Sequence, residues 1–423
     1  MTSGTTPAPE PQAPRRSFLR SATVVAVAMA IMNVAAYGFT LIGSRRLLPE
    51  QFGAITALLG LLLIGNVASL GLQATGARRL ATHTGDGAAA LGDAMLKAGR
   101  RSALGLTVLC LLLTPVFMWL LHIDSIVAIV LLAPTLGGLT LMGSQLGVLQ
   151  GSHRWTELAA VYASGGIGRL VLGGGALLVH PSLDWAMAGL ALGAAVPAAL
   201  GQFFLRGSTG STRQEIKEVL RETVHGTHTL LAFFALANAD VLFARALLDE
   251  KDSGYYAAGL IVAKACLFLP QFVIVLVFPS LANSPGDTVR LRRAILAVAG
   301  LGVCTVVGTL ILPGIVVEVI GGKANYAPLS PYTWLFAVAG SAYAVLQLVV
   351  YAAIAQQEKR AALGIWLGLV VLAVAAGIIL GTGTATGLDG VKVLAATTST
   401  CALLLSAGLA AGLRRQAAEL PQA

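Results

Sequence analysis

Of the 423 residues, 56% are hydrophobic and 11% charged, and the mean hydropathy is +0.81. A water-soluble domain carries about 25% charged residues, so a soluble globular protein is excluded and most of the surface must face lipid. The net charge of +9 comes from Lys and Arg placed between apolar runs, a distribution that fits membrane lipids and leaves no basic face for a nucleic-acid partner.

The chain opens with a Pro/Thr/Ala-rich segment, residues 1–16, expected to be a disordered cytoplasmic tail. Pro14-Arg15-Arg16-Ser17-Phe18-Leu19-Arg20 has the look of a twin-arginine export signal. The apolar run continues past any cleavage site, so a positive-inside anchor for a first span is the favoured reading. Apolar stretches then recur near the 20 residues that a hydrocarbon core about 30 Å thick requires. Spans are predicted at 21–43, 52–74, 102–121, 126–150, 156–179 and 185–206, which defines a six-helix bundle over 17–206. Gly143, Gly147 and Gly151 fall on one face of the fourth span, and Gly189 and Gly193 on one face of the sixth; small faces allow close helix approach in lipid.

Segment 207–226 is the longest polar stretch at mid-chain. Thr212-Arg213-Gln214-Glu215 fits a capping box, with Ile216, Val219, Leu220 and Val224 on one face after it. This predicts a cytoplasmic linker containing a short amphipathic helix on the inner leaflet, with an ordinary charged connector as the alternative. A second six-helix bundle follows over 227–412, with spans at 227–248, 255–283, 294–320, 332–355, 361–381 and 391–412, and then a cytoplasmic tail over 413–423. Pro115, Pro134, Pro197, Pro270, Pro279 and Pro313 lie within spans, where each removes a helix hydrogen bond and permits a bend.

With the N-terminus inside, twenty Lys and Arg fall on the cytoplasmic side and five on the outer side, which places both termini in the cytoplasm of an inner-membrane protein. The remaining three basic residues are Arg169, Arg245 and Lys264, within or at the ends of spans. A charge at mid-bilayer costs about 2.5–3.5 kcal/mol on insertion scales, so each is a candidate for function. The functional reading is substrate binding by capture of an anion, Arg as a planar fork and Lys as a point charge. The alternative is snorkelling or an ion pair with Asp240. Asp240, Asn238 and Asn33 are candidates for ion coupling or for helix pairing. Cys110, Cys266, Cys304 and Cys401 lie singly in apolar runs with no metal-ligand spacing, and no motif calls for a cofactor. The outer loops are short and the acidic residues scattered, which argues against an enzyme that needs paired carboxylates.

One internal repeat stands out. Arg45-Arg46-Leu47-Leu48-Pro49-Glu50 with Gly53 matches Arg245-Ala246-Leu247-Leu248-Asp249-Glu250 with Gly254. Both copies close the first span of a half. An even number of spans per half gives parallel repeats, related by an axis along the membrane normal and flanking a central cavity. All of this describes an all-α integral membrane protein of twelve helices in two bundles.

The stretch from Ala35-Ala36-Tyr37-Gly38 to Arg79-Leu80-Ala81, with Arg46-Leu47-Leu48-Pro49-Glu50-Gln51-Phe52-Gly53 at its centre, resembles the opening of the polysaccharide transport family. That family belongs to the multidrug/oligosaccharidyl-lipid/polysaccharide flippase superfamily. Asn238-Ala239-Asp240-Val241-Leu242-Phe243-Ala244-Arg245, Gly254-Tyr255-Tyr256-Ala257-Ala258 and Phe278-Pro279-Ser280-Leu281-Ala282 are similar to its seventh and eighth spans. The resemblance covers the opening hairpins of both halves. It implies a flippase that carries lipid-linked oligosaccharide or polysaccharide precursors to the outer leaflet, with a glycan polymerase or glycosyltransferases as partners. A multidrug or small-metabolite exporter, or a membrane-embedded glycan polymerase, are the competing readings.

Overall fold

A computed structural model describes residues 13–83, 86–206, 211, 213–268, 288–355, 360–381, 383 and 385–419. All secondary structure among them is helical. Ten described helices are long and apolar enough to cross a bilayer, and eleven when a bent pair is counted as one span. The predicted eighth span, 255–283, lies partly outside the described residues, as do Pro270, Pro279 and Thr212 of the capping box.

In the first half, α1 (Ala13–Arg46) is followed by α2 (Pro49–Gly65) and α3 (Val67–Leu80), which together form the second apolar segment. Helix α4 (Asp86–Leu112) starts well before the predicted 102 and is bent by 53° against α5 (Thr114–Leu121). Pro115 in the first turn of α5 accounts for the break, because it can donate nothing to the turn before it. Helices α6 (Ile126–Gly151), α7 (Trp155–Gly168), a π turn over Arg169–Gly174, α8 (Gly175–Val179) and α9 (Leu183–Phe204) complete this half.

The glycine faces do what their spacing predicts. A Cβ on Gly147 would lie 2.9 Å from the Gln73 carbonyl oxygen of α3, and Gly143 and Gly151 are pressed against Ser69 and Gly76 of the same segment. Gly193 of α9 sits against the carbonyl of Gly168, where a Cβ would approach to 2.9 Å. The helices therefore pack backbone to backbone, which dispersion alone can sustain in lipid.

The mid-chain linker differs from expectation. Helix α10 runs unbroken from Arg213 to Leu247, so the helix of the polar segment is continuous with the seventh apolar segment and is not a separate short helix. Its apolar face is used against protein: Ile216 and Val219 are buried in a cluster with Leu72, Met95 and Leu158, and Leu220 packs on its edge. Val224, assigned to the same face, is exposed. The buried Asp93 carboxylate tacks the approach to α10 onto α4, accepting from the Ser211 amide (3.0 Å), the Ser211 hydroxyl (2.7 Å) and Lys97 Nζ (2.8 Å).

The second half continues with α11 (Glu250–Phe268), α12 (Thr288–Ile311), α13 (Pro313–Ile320), α14 (Lys323–Tyr326) with a 3-10 stretch to Tyr332, α15 (Thr333–Ala355), α16 (Arg360–Gly381) and α17 (Gly387–Glu419). The ninth apolar segment is thus interrupted at Leu312 where a single helix over 294–320 was predicted, with Pro313 opening the second piece. Helix α1 begins at Ala13, within the expected N-terminal tail, and α17 extends to Glu419, within the expected C-terminal tail. The aliphatic residues left exposed on α12 and α16, such as Val303, Val307, Leu367 and Val371, form the belt expected of lipid-facing surface.

The halves touch through α2 and the first turns of α11, and through α10 against α2, α3 and α4. The two repeat glycines lie at this seam. Gly254 abuts the Pro49 carbonyl, and a Cβ on Gly53 would lie 2.9 Å from the Gly254 amide nitrogen.

Candidate functional site

Between the halves the structure gathers most of the intramembrane charge. Arg169 opens the π turn of the fifth apolar segment, where an extra residue per turn rotates its side chain relative to the helix before it. Gly165, Gly166 and Gly168 before it and Gly173 to Gly175 after it lower the resistance to that distortion. The guanidinium carbon lies 5.1 Å from the centre of the Phe39 ring on α1, a cation–π contact. Its Nε is buried and has no hydrogen-bond partner among the described residues.

Lys264 is on α11, in the other half, and is half-buried. Arg169 and Asp240 are both near enough to interact with it electrostatically. Among the described residues, two cations from opposite halves therefore interact in one region with Asp240, and no carboxylate forms an ion pair with either cation. A positive interior of this kind is costly when empty and favourable when an anion enters it.

Asp240, buried on α10, is fully engaged. One carboxylate oxygen accepts from the Val241 amide (2.8 Å) and the other from the Tyr256 hydroxyl (3.0 Å). Tyr256 is itself buried and stacks edge-on against Phe336. Thr398 Oγ1, buried and without a hydrogen-bond partner among the described residues, lies beside that hydroxyl. Tyr343 of α15, whose hydroxyl donates to the Leu236 carbonyl (3.0 Å), is near enough to Asp240 to interact with it electrostatically. Asn238 is two residues from Asp240 but faces another way: its amide donates to the Phe234 carbonyl (2.9 Å), and its Cβ would meet one built on Gly60 of α2.

Asn33, Tyr37 and Ser44 lie on one face of α1 by the 3.6-residue period. Tyr37 donates to the Ile261 carbonyl (2.8 Å) and Ser44 to the Ile320 carbonyl, both in the second half. Asn33, about one turn before Tyr37, is exposed.

Arg245 is placed apart from this group, at the Pro49 end of the molecule, and is only 4% exposed. It donates from Nε to the Leu121 carbonyl (2.8 Å) and from Nη2 to the His122 carbonyl (2.8 Å) and Glu250 Oε1 (2.9 Å). Nη1 reaches Ser253 Oγ (3.3 Å) and the Glu50 carbonyl (3.5 Å). A guanidinium engaged by so many acceptors is occupied by protein in this conformation. At the opposite end Glu222 of α10 joins the two halves, pairing with Arg78 and accepting from Arg79 Nε at 2.5 Å.

Sequence reasoning missed Phe39, Tyr256 and Thr398. Tyr256 stood within a quoted motif, but nothing in its spacing from Asp240 said that the two would bond across α10 and α11. No group of three or more His, Cys, Asp or Glu that could hold a metal occurs among the described residues.

The architecture is that of a multi-pass helical membrane protein whose charged interior lies between the halves. No protein-family model and no curated protein matches the chain in sequence. Solved structures do match in fold. An inward-facing multidrug resistance MATE family transporter of the MOP superfamily aligns with a TM-score of 0.73 at 13% identity, covering 92% of this chain and 94% of the other. The lipid II flippase MurJ, in an inward closed conformation, aligns at 0.72 and 10% identity, covering 94% and 91%. A MOP superfamily transporter from Pyrococcus furiosus aligns at 0.66 and 13% identity, covering 95% and 96%. The chain therefore has the fold of MOP superfamily transporters, the superfamily that its opening motifs resemble.

Proposed function

We propose that this protein is an inner-membrane flippase that carries an anionic, lipid-linked oligosaccharide or polysaccharide precursor to the outer leaflet by alternating access. Twelve spans in two parallel six-helix bundles, with both termini cytoplasmic, provide the frame. The observation that carries the reading is the pair Arg169 and Lys264, one from each half, exceeding the carboxylates around them. A pyrophosphate headgroup must leave water to cross, and two charge-assisted contacts replace part of its hydration. An inside-negative potential adds about 2.3 kcal/mol per charge per 100 mV in favour of outward passage of an anion.

The second reading, a multidrug or small-metabolite exporter, is favoured by Asp240, a buried carboxylate able to attract a cation. A deletion strain separates the readings. Lipid extracts are expected to accumulate the lipid-linked sugar on the inner leaflet. Accumulation of unpolymerised units on the outer face would assign the defect to a polymerase, and an unchanged lipid-linked pool would overturn the flippase reading.

A further inference from the structure

Arg45 and Arg245 hold the same position in the repeated motif, and each reaches across the seam to the same kind of target. Helices α5 and α13 are both eight residues long, both carry Pro in the first turn, and each ends the third apolar segment of its half. The last carbonyls of a helix have no partner within it and carry its negative end. Those of α5, Leu121 and the left-handed His122 (φ 48°), accept from Arg245 of the second half. Those of α13, Glu318 and Val319, accept from Arg45 Nη2 of the first half at 3.2 and 3.4 Å, while the buried Ser44 hydroxyl takes the Ile320 carbonyl. Each half thus completes a helix end that the other leaves open.

We propose that Arg45 with Ser44, and Arg245, form a reciprocal latch that holds the Pro49 end of the molecule shut and must release for cargo to pass there. The latch deepens the transport reading and rests on it. Its chemistry sets when it can open. Bare carbonyls and a bare guanidinium are tolerable only if water replaces the lost partners, so the seam parts into water and not into lipid. The two arms are unequal. Arg245 is buried with additional bonds to Glu250 and Ser253, whereas Arg45 is exposed, so Arg245 is the stronger arm.

The test reads accessibility, not transport, so its failure is distinct from failure of the cargo assignment. Ile261→Cys, beneath the latch and 2% exposed, is introduced into the full chain with its four native cysteines replaced. Its labelling by a membrane-impermeant maleimide is followed in spheroplasts and in inverted vesicles. Arg245→Gln is expected to raise the labelling rate about tenfold, from one face only, since loss of buried hydrogen bonds of this kind shifts an opening equilibrium by that order. The pair Ser44→Ala with Arg45→Ala, which leaves the Arg245 contacts in place, is expected to raise the rate severalfold from the same face. Unchanged rates in the Ser44/Arg45 pair, or a rise from both faces equally, would overturn the latch even if Arg245→Gln failed to insert.

Discussion

Replacing both Arg169 and Lys264 with Gln is expected to reduce export by at least ~100-fold while the protein remains inserted. Each charge-assisted bond to an anion contributes about 1.5–3 kcal/mol, and about 1.4 kcal/mol corresponds to a factor of ten, so two such contacts account for that loss or more. Stability should move little: each cation lost relieves a desolvation cost, which is offset by the loss of the Phe39 contact of Arg169 and of the cation near Asp240. Gln keeps much of each side chain's volume, neither cation has a carboxylate ion-pair partner among the described residues, and a buried cation without one is a cost to the folded state. The single variants should each lose about tenfold. Export measured beside the amount of membrane-inserted protein and its thermal midpoint in detergent checks this. Full export by the inserted double variant would remove the anion site from the account.

Asp240→Leu is expected to lower stability by about 1–3 kcal/mol. It removes the carboxylate that accepts from the buried Tyr256 hydroxyl and takes away the carboxylate that interacts with Lys264 among the described residues. Asp240→Asn separates the two roles open to this residue. The amide oxygen can still accept from Tyr256, so most stability should return. If Asp240 serves helix pairing and charge balance, export returns with it. If Asp240 carries a coupling proton or cation, the Asn variant melts like the wild type and does not transport. Paired melting and export measurements decide between them.

Much of this could be read from the chain. A 3.6-residue period and a fixed bilayer thickness leave few choices, so the apolar segments at Ile126–Gly151, Trp155–Val179 and Leu183–Phe204 sit within two residues of their predicted limits. The Gly143, Gly147 and Gly151 face was legible because spacing alone puts small residues in line. Three features were not. The run from Arg213 into the seventh span depends on Leu72, Met95 and Leu158 being present to cover Ile216 and Val219, which no local pattern states. The π turn at Arg169 packs against Gly193 and Phe39, neighbours that no local pattern announces. Arg245 could be read from the chain as an anion ligand or as a snorkelling side chain; it bonds to Glu250 close by and to the carbonyls of Leu121 and His122, more than a hundred residues away, which no local pattern states. What hydropathy reports is the solvent of each segment. What it omits is which ends meet.

The most direct measurement is the affinity of the purified protein, in lipid nanodiscs, for a pyrophosphate-headed polyprenyl sugar and for the same lipid without its phosphates. The two-cation interior predicts at least ~100-fold tighter binding of the charged lipid, and loss of that preference when Arg169 and Lys264 are both Gln. Equal affinity for the two lipids in the wild type, or an undiminished preference in the double variant, would contradict it.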